Sequence, residues 1–232
     1  MKKLTAFSDD IVISALGRPM TEEELIEIIG DIDGYIAGTD HITAKVIEKA
    51  DKLKIISRYG AGVDSVDLDA AKARGIAVTN TPGANSQAVA ELAFGHMLAL
   101  ARRIEDQSQD LKHGKWVSVV GKQLQGKTLG VLGFGNIGRR FAKMSAGLDM
   151  KVMAYDPFIS HDIIRANGAF PASLDEILAK ADVITMHLPL SDLTYHMIDA
   201  DAISKMKEGV ILINTARGGI LDEDAVYDGV VS

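Results

Sequence analysis

Cysteine is absent from this chain of 232 residues. The sequence therefore has no disulfide, no thiolate metal site and no cysteine nucleophile, which fits a reducing compartment. Aromatic residues are scarce, at 5%, whereas glycine accounts for 22 of the 232 residues, above the average of about 7%. A chain rich in glycine and aliphatic residues but poor in aromatic ones suits layered α/β packing, and its length corresponds to about one and a half average domains.

An excess of basic charge and a long apolar run are missing as well. The formal net charge of −7 disfavours a nucleic-acid partner, because such binding relies on Lys and Arg that neutralise phosphates. The longest mainly apolar stretch, Ala88 to Ala101, contains Glu91 and His96 and is shorter than the roughly 18 residues of a membrane span. Asp9 and Asp10 interrupt the segment where a signal peptide would be apolar. We expect a cytoplasmic protein with no membrane or nucleic-acid partner and no metal site.

Strand-like and helix-like segments alternate along the chain in two series. Strands are predicted at 4–7, 11–15, 34–37, 54–59, 76–78, 128–132, 151–155, 183–187 and 210–214. Helices separate them, and the clearest helix starts are the capping boxes Thr21–Glu24 and Ser173–Glu176. This order predicts an α/β fold with two doubly wound parallel-sheet domains. Because the polar segment 105–127 breaks the alternation, we assign residues 1–95 to the first domain and 96–232 to the second.

The phosphate-loop pattern of nucleotide triphosphatases occurs at Gly121–Thr128. In that motif the Lys-Thr pair must open a helix, so that backbone N–H groups and the helix dipole face the phosphates. Here Lys127 and Thr128 lead into an apolar segment that is predicted as a strand. We therefore interpret the match as a polar turn. Nucleotide triphosphate binding, which Lys127→Ala would abolish, is the remote alternative.

A second glycine motif, Gly133-Phe-Gly135-Asn-Ile-Gly138, follows a predicted strand and precedes a predicted helix. In this context the pattern indicates a dinucleotide site of the Rossmann type. Gly133 would make the tight turn, Gly135 would let the backbone approach a pyrophosphate, and Gly138 would let the helix pack closely on the strand. The alternative is a tight turn without a ligand.

An acidic residue, Asp156, ends the next predicted strand, twenty-three residues beyond Gly133. Its carboxylate can accept hydrogen bonds from the ribose hydroxyls of an adenosine and would repel a 2′-phosphate. No Lys or Arg occurs in residues 157–161 to compensate for that phosphate. The sequence therefore favours NAD over NADP.

Two further segments follow predicted strands and could bind a substrate. The backbone N–H groups of Gly60, Ala61 and Gly62 could bind an anion such as a carboxylate. Arg58 precedes them; it and Arg74 are candidates for a substrate phosphate, although the alternative for Arg58 is an ordinary surface arginine. Arg217, which two glycines follow, could hold a carboxylate with both ends of its guanidinium and polarise a keto oxygen.

Together these motifs resemble those of the D-isomer-specific 2-hydroxyacid dehydrogenases, with the phosphoglycerate dehydrogenases as the most similar branch. The matching stretches have the order of the family and cover almost the whole chain: 58–67, 80–85, 89–92, 130–138, 155–157, 187–189 and 214–219. The resemblance implies a flavodoxin-like substrate domain, a Rossmann NAD domain, and hydride transfer between NAD and a small D-2-hydroxy acid. The substrate would be of the 3-phosphoglycerate, glycerate/hydroxypyruvate or glyoxylate type.

The resemblance also implies roles for single residues. Gly60, Ala61 and Gly62 would contact the substrate carboxylate, with Arg58 beside them, and Arg217 would be a catalytic residue that binds substrate. Residues that would bind NAD are Gly133, Gly135, Asn136, Ile137, Gly138, Asp156, Pro157, His187, Leu188, Pro189, Thr215, Ala216 and Arg217. The family further implies a homodimer formed through the NAD domain, with the region of Trp116 as an arm.

The chain departs from the family in its catalytic residues. The catalytic Glu and His of the family follow the arginine in sequence, and Arg217 is only fifteen residues from the end. We therefore expect both domains to lack their C-terminal segments. None of the six histidines is expected to replace the missing proton carrier: His41, His96, His113, His161, His187 and His196. Two hypotheses remain, a dehydrogenase that turns over and a module that binds NAD without turnover.

Overall fold

The computed structural model describes residues 4–6, 8 and 10–231. The chain divides into two compact units, residues 1–85 and 86–232. The division precedes the predicted domain boundary at residues 95 and 96, because Ala90 and Ala93 are already buried in the core of the second unit. No helix in the described ranges is both long enough and apolar enough to span a membrane.

The first unit, as far as it is described, alternates three helices with three strands. They are α1 (Glu22–Ile29), β1 (Gly34–Ala37), α2 (Ala44–Glu48), β2 (Ile55–Arg58), α3 (Leu68–Ala73) and β3 (Ala77–Thr79). The strands are parallel and lie in the order β1-β2-β3, so each connection crosses over through a helix. Leu25, Ile29 and Ile47 from the helices pack with Ile56 of β2 in one buried core.

The two strands predicted at the start of the chain are wrong. Leu4–Ala6 form a turn, residues 11–15 have no regular structure, and Phe7 lies outside the described residues. Val12 and Ile13 are 73% and 56% exposed, so these apolar residues do not form the buried face that a strand needs. The described sheet of the first unit consequently consists of β1, β2 and β3 in chain order.

Both predicted capping boxes are confirmed. The Thr21 hydroxyl accepts a hydrogen bond from the Glu24 N–H, and the Glu24 carboxylate accepts one from the Thr21 N–H. Ser173 and Glu176 make the same reciprocal pair. Each pair satisfies two N–H groups that the first turn of a helix leaves unpaired, and a cap of this kind typically contributes about 1 kcal/mol.

The second unit contains seven α-helices and five strands in its described part. They are α4 (Ser86–Arg102), α5 (Ile104–Lys112), β4 (Thr128–Leu132), α6 (Asn136–Ala146), β5 (Lys151–Tyr155), α7 (His161–Ala166), β6 (Phe170–Pro171), α8 (Leu174–Lys180), β7 (Val183–Met186), α9 (Ala200–Ser204), β8 (Ile211–Asn214) and α10 (Glu223–Val231). The strands are parallel and have the order β6-β5-β4-β7-β8. This is the doubly wound Rossmann order, which confirms the α/β prediction, and it reverses between β4 and β7.

Helices cover both faces of this sheet. On one face, Leu129 and Val131 of β4 pack with Phe141 of α6. On the other, Ile184 of β7 packs with Ile177 of α8. Because both faces are buried, the central strands are almost continuously apolar, as parallel strands usually are.

The polar segment between the two predicted series contains a helix that was not predicted, α5. Beyond it, Trp116 is 90% exposed in a stretch without regular structure. Lys127 precedes β4, and Thr128 is the first residue of that strand. The triphosphatase motif therefore does not open a helix, and its interpretation as a turn before a strand is confirmed.

Candidate functional site

The carboxyl ends of four neighbouring strands meet at one edge of the second unit's sheet. Three register pairs align these ends: Leu132 with Tyr155, Leu132 with Met186, and Met186 with Asn214. The alignment continues past β4, because the Gly133 N–H donates to the Tyr155 carbonyl at 2.8 Å and the His187 N–H to the Leu132 carbonyl at 2.7 Å. The residues that follow the four strands therefore form a row in the order Asp156, Gly133, His187 and Thr215.

This row lies at the topological switch point of the sheet, where open α/β folds bind their ligands. Three interstrand spacings of about 4.8 Å separate its ends, so Asp156 and Thr215 are roughly 14 Å apart. A span of this size suits an extended ligand with two ends, such as a dinucleotide.

The three motif glycines have different surroundings. Gly133 has a φ of 93°, and a Cβ there would lie 2.8 Å from the carbonyl oxygen of His187. A Cβ on Gly138 would overlap the carbonyl oxygen of Gly133, so the bare glycine lets α6 pack against β4. A Cβ on Gly135 would meet no atom within 4 Å. This open position is the place where a ligand can approach the backbone.

The amino end of α6 points to the same opening. Gly135 is its N-cap and provides no side-chain cap, and the first turn contains no acidic residue. The first N–H groups of an α-helix have no partner within the helix and carry a partial positive charge. Asn136 and Ile137, the first two residues of α6, therefore present N–H groups that suit a phosphate.

Asp156 holds the glycine loop through both carboxylate oxygens. Its Oδ2 accepts a hydrogen bond from the Phe134 N–H at 2.8 Å, and its Oδ1 accepts one from the Phe158 N–H at 2.9 Å. A carboxylate offers about four acceptor positions, so two contacts leave capacity for ribose hydroxyls. Pro157 between these contacts is exposed.

His187 is held as a neutral imidazole. Its Nε2 lies 3.0 Å from the Oγ1 of Thr185, and its ring lies 5.7 Å from the ring of Phe141, measured between centroids. Burial lowers the pKa of His187 to about 4. The ring is therefore uncharged near pH 7. Its Nδ1 is buried without a hydrogen-bond partner among the described residues.

The loop that follows His187 is held by contacts between its own residues. Leu188 is buried, whereas Pro189 is exposed. The Pro189 carbonyl accepts a hydrogen bond of 2.7 Å from the hydroxyl of Thr194, which is itself buried. These contacts keep the segment after His187 folded at the sheet edge.

Asn214 shapes the loop that carries Arg217. Its Oδ1 accepts from the Ala216 N–H at 3.0 Å, and its Nδ2 donates to the Arg217 carbonyl at 2.8 Å. The Arg217 guanidinium donates to the Ala216 carbonyl at 2.8 Å. The Oγ1 of Thr215 is buried without a hydrogen-bond partner in the described part of the chain.

The first unit has a separate group of predicted residues at the carboxyl end of β2. Arg58 is partly buried there, and its Nη1 donates to the Tyr59 carbonyl at 2.8 Å. The guanidinium folds over Gly60, where a Cβ would lie 3.0 Å from that Nη1. Asn80, after β3, donates to the Ala61 carbonyl at 2.7 Å. The glycines thus lie at a sheet edge, and Arg58 has a defined position instead of a free surface one.

Sequence reasoning assigned no role to the side chains that hold these loops. Thr185, Asn214 and Asn80 all lie at or next to the carboxyl end of a strand. Their position beside the predicted site residues was a usable signal, since short polar side chains often hydrogen-bond nearby backbone.

The row of the second unit fits a dinucleotide in three respects. Gly135 leaves open space, α6 begins without a side-chain cap, and two buried polar atoms, Nδ1 of His187 and Oγ1 of Thr215, have no described partner. Buried polar atoms without partners are uncommon in native proteins and call for a ligand or an ordered water.

Comparison with known proteins supports the same interpretation. Residues 2–160 match the catalytic domain of the D-isomer specific 2-hydroxyacid dehydrogenases, and residues 94–232 match their NAD binding domain. The chain is 45% identical over 216 residues to a hydroxypyruvate reductase of Thermotoga maritima, covering 92% of this chain and 70% of that protein. It is 43% identical to a D-3-phosphoglycerate dehydrogenase of Methanocaldococcus jannaschii, covering 91% of this chain but 41% of the relative.

A solved structure agrees in fold. The D-lactate dehydrogenase of Aquifex aeolicus, solved with NAD and lactic acid, has a TM-score of 0.82 and 35% identity to the chain. The match covers 99% of this chain and 68% of that one. The predicted resemblance and the predicted NAD-binding domain are confirmed: the chain belongs to the family of D-isomer-specific 2-hydroxyacid dehydrogenases.

Proposed function

We propose that the protein is an NAD-dependent oxidoreductase that transfers a hydride between NAD and a small D-2-hydroxy acid. The observation that carries this proposal is the row of Asp156, Gly133, His187 and Thr215 at the switch point of the Rossmann sheet. Family membership supports the reaction type.

The cofactor site would use the residues that line this edge. They are Gly133, Gly135, Asn136, Ile137, Gly138, Asp156, Pro157, His187, Leu188, Pro189, Thr215, Ala216 and Arg217. NAD supplies the hydride chemistry when bound. The protein positions it: Asp156 binds the adenosine ribose, and the amino end of α6 binds the pyrophosphate.

Each of the two units provides its own set of proposed substrate contacts. On the second unit, the Arg217 guanidinium would orient a carboxylate and stabilise negative charge on the reacting oxygen. On the first unit, the N–H groups of Ala61 and Gly62 would bind a carboxylate, and Arg58 adds positive charge beside them. Gly60 would contribute the close approach of the backbone, because its own N–H donates to the Arg58 carbonyl at 2.9 Å.

The cations of the first unit favour a substrate without a phosphate. Arg74 precedes β3, at the opposite edge from Gly60, and donates to the Glu48 carbonyl at 2.7 Å. The segments that follow the three strands, residues 38–43, 59–67 and 80–85, contain no Lys or Arg. Arg58 is therefore the one cation at the carboxyl edge of the described sheet. We propose a hydroxypyruvate/glycerate or glyoxylate type of substrate ahead of 3-phosphoglycerate.

We further propose a homodimer formed through the second unit. Trp116 and Val120 are 90% and 89% exposed, and Leu100 and Ile104 expose large apolar side chains of α4 and α5. An interface between two copies would remove these apolar side chains from water. A cytoplasmic location remains a prediction from the sequence.

The main test separates turnover from binding alone. The 232-residue chain is titrated with NADH by fluorescence and then assayed for NADH oxidation with hydroxypyruvate and with glyoxylate. Binding with turnover above background supports the dehydrogenase. Binding without turnover favours the alternative, an NAD-binding module, and failure to bind NADH contradicts both.

Asp156 provides a sharper test of the cofactor. Replacing it with asparagine removes the charge that would repel a 2′-phosphate but keeps the size of the side chain. We expect the ratio of the NADPH to the NADH dissociation constant to fall by about tenfold, equivalent to about 1.4 kcal/mol. Asp162→Asn is the matched control, because Asp162 is exposed and pairs with Arg165 at 3.1 Å. Equal ratios for Asp156→Asn and the unchanged chain would contradict the assignment.

A further inference from the structure

Arg139 lies in the first turn of α6 and its side chain returns to the glycine loop. Its Nε donates to the Gly135 carbonyl at 3.3 Å, and its Nη2 donates to the Oδ1 of Asn136 at 3.2 Å. The side chain is partly buried and accessible from solvent. The guanidinium is thus beside the open position at Gly135, where no atom lies within 4 Å of a Cβ.

The positive charge of Arg139 does not stabilise the amino end of α6. The amino end of a helix carries partial positive charge, so a cation in the first turn is unfavourable and acidic residues are preferred there. Both hydrogen-bond acceptors of Arg139 are neutral oxygens, and none of the ion pairs between described residues includes it. The charge of Arg139 is therefore available to an anion that binds beside the amino end of α6.

The other cations at this edge are directed elsewhere. Residues 133–138, 156–160, 187–199 and 215–222, which follow the strands of the row, contain Arg217 as their only Lys or Arg. Arg140 follows Arg139 but donates to the Oε1 of Gln87 on α4 at 3.0 Å. Arg139 is consequently the cation whose guanidinium contacts the loop that would hold a pyrophosphate.

We propose that Arg139 binds the pyrophosphate of the dinucleotide, exchanging its contact with Asn136 for phosphate oxygens. This inference rests on the proposed function of the same site. A guanidinium has several N–H donors in one plane and can bind phosphate oxygens through two of them. The contact would add a full positive charge to the partial positive charge at the amino end of α6.

The test compares Arg139→Gln with Arg140→Gln as its matched control. Dissociation constants for NADH, ADP and adenosine are measured by calorimetry with the 232-residue chain. ADP contains the pyrophosphate and adenosine does not. We expect Arg139→Gln to weaken NADH and ADP by about tenfold, the usual size of a charged hydrogen bond, and to leave adenosine unchanged. Arg140→Gln should leave all three unchanged.

Thermal unfolding distinguishes ligand binding from a structural role. Removing a cation from the first turn should leave the melting temperature of Arg139→Gln equal to or above that of the unchanged chain. An equal loss of ADP and adenosine affinity, or an NADH affinity equal to that of the unchanged chain, would overturn the role of Arg139. An unchanged chain that binds none of the three ligands would instead overturn the proposed function as well.

Discussion

Replacement of Gly138 by alanine is expected to lower the free energy of unfolding by about 3 kcal/mol, the upper part of the range for overpacked interiors. A Cβ at Gly138 would overlap the carbonyl oxygen of Gly133 and lie 3.1 Å from the Cγ1 of Val131. The first of these atoms belongs to the backbone and cannot rotate away. The amino end of α6 would therefore have to move off β4, which is measurable by urea denaturation.

Gly135→Ala is the matched control for this change. A Cβ at Gly135 would meet no atom within 4 Å, and its φ of −73° suits alanine. Because alanine is less favourable than glycine at an N-cap, its unfolding free energy should fall by about 1 kcal/mol at most, well short of the loss at Gly138. Its NADH affinity should fall because the methyl group fills the approach to the backbone. If Gly138→Ala unfolds like Gly135→Ala, the close contact of α6 with β4 is not what requires a glycine.

The buried imidazole of His187 is expected to make the fold less stable in mild acid. Burial lowers its pKa from the ordinary value of 6.5 to about 4, so between these values the unfolded chain binds a proton that the folded chain does not. Stabilisation by this residue is complete above the unfolded value and is lost as the pH falls towards the folded value. The loss between about pH 7.5 and about pH 5 amounts to about 2 kcal/mol.

The measurement compares urea denaturation at these two pH values for the unchanged chain and His187→Gln. The variant should lose about 2 kcal/mol less between the two pH values, because glutamine does not titrate. Carboxylates that titrate in both proteins cancel in this comparison. His161→Gln is the control, because His161 is exposed. A pH profile for His187→Gln that matches the unchanged chain would show that His187 is not held neutral by burial.

Much of the second unit could be predicted from its sequence. The glycine spacing, the acid after β5 and the alternation of apolar segments are local patterns, and each corresponds to a specific backbone requirement. The capping boxes at Thr21 and Ser173 are equally local, since each involves residues only three apart. Such features depend little on the rest of the chain.

Two predictions failed for different reasons. Residues 11–15 are mostly apolar and β-branched, as in a strand, but a strand forms only where another strand pairs with it, and local composition does not reveal that partner. Helix α5 was overlooked because its residues are mostly polar. A polar helix can be stabilised by side-chain pairs four residues apart, such as Gln109 with Glu105 at 2.6 Å.

The contacts that organise the candidate site could not be predicted for a related reason. Asn80 contacts Ala61, and Asp156 contacts Phe134, only because parallel strands bring the following loops to one edge. The sequence pattern identifies the residue types near such an edge, whereas the pairing register of the strands decides which atoms come into contact.

Because the four strands share one register, a change in the length of a strand moves the site residue that follows it. Deleting one residue within β7 would draw His187 back by roughly 3.3 Å and turn its side chain to the other face of the sheet. Residues added between Pro189 and Thr194 would leave the strand register unchanged, although they would disturb the hydrogen bond from the Thr194 hydroxyl to the Pro189 carbonyl. The distance between the two ends of the candidate site is therefore inherited from the hydrogen bonds of the sheet, and residues beyond the aligned positions do not set it.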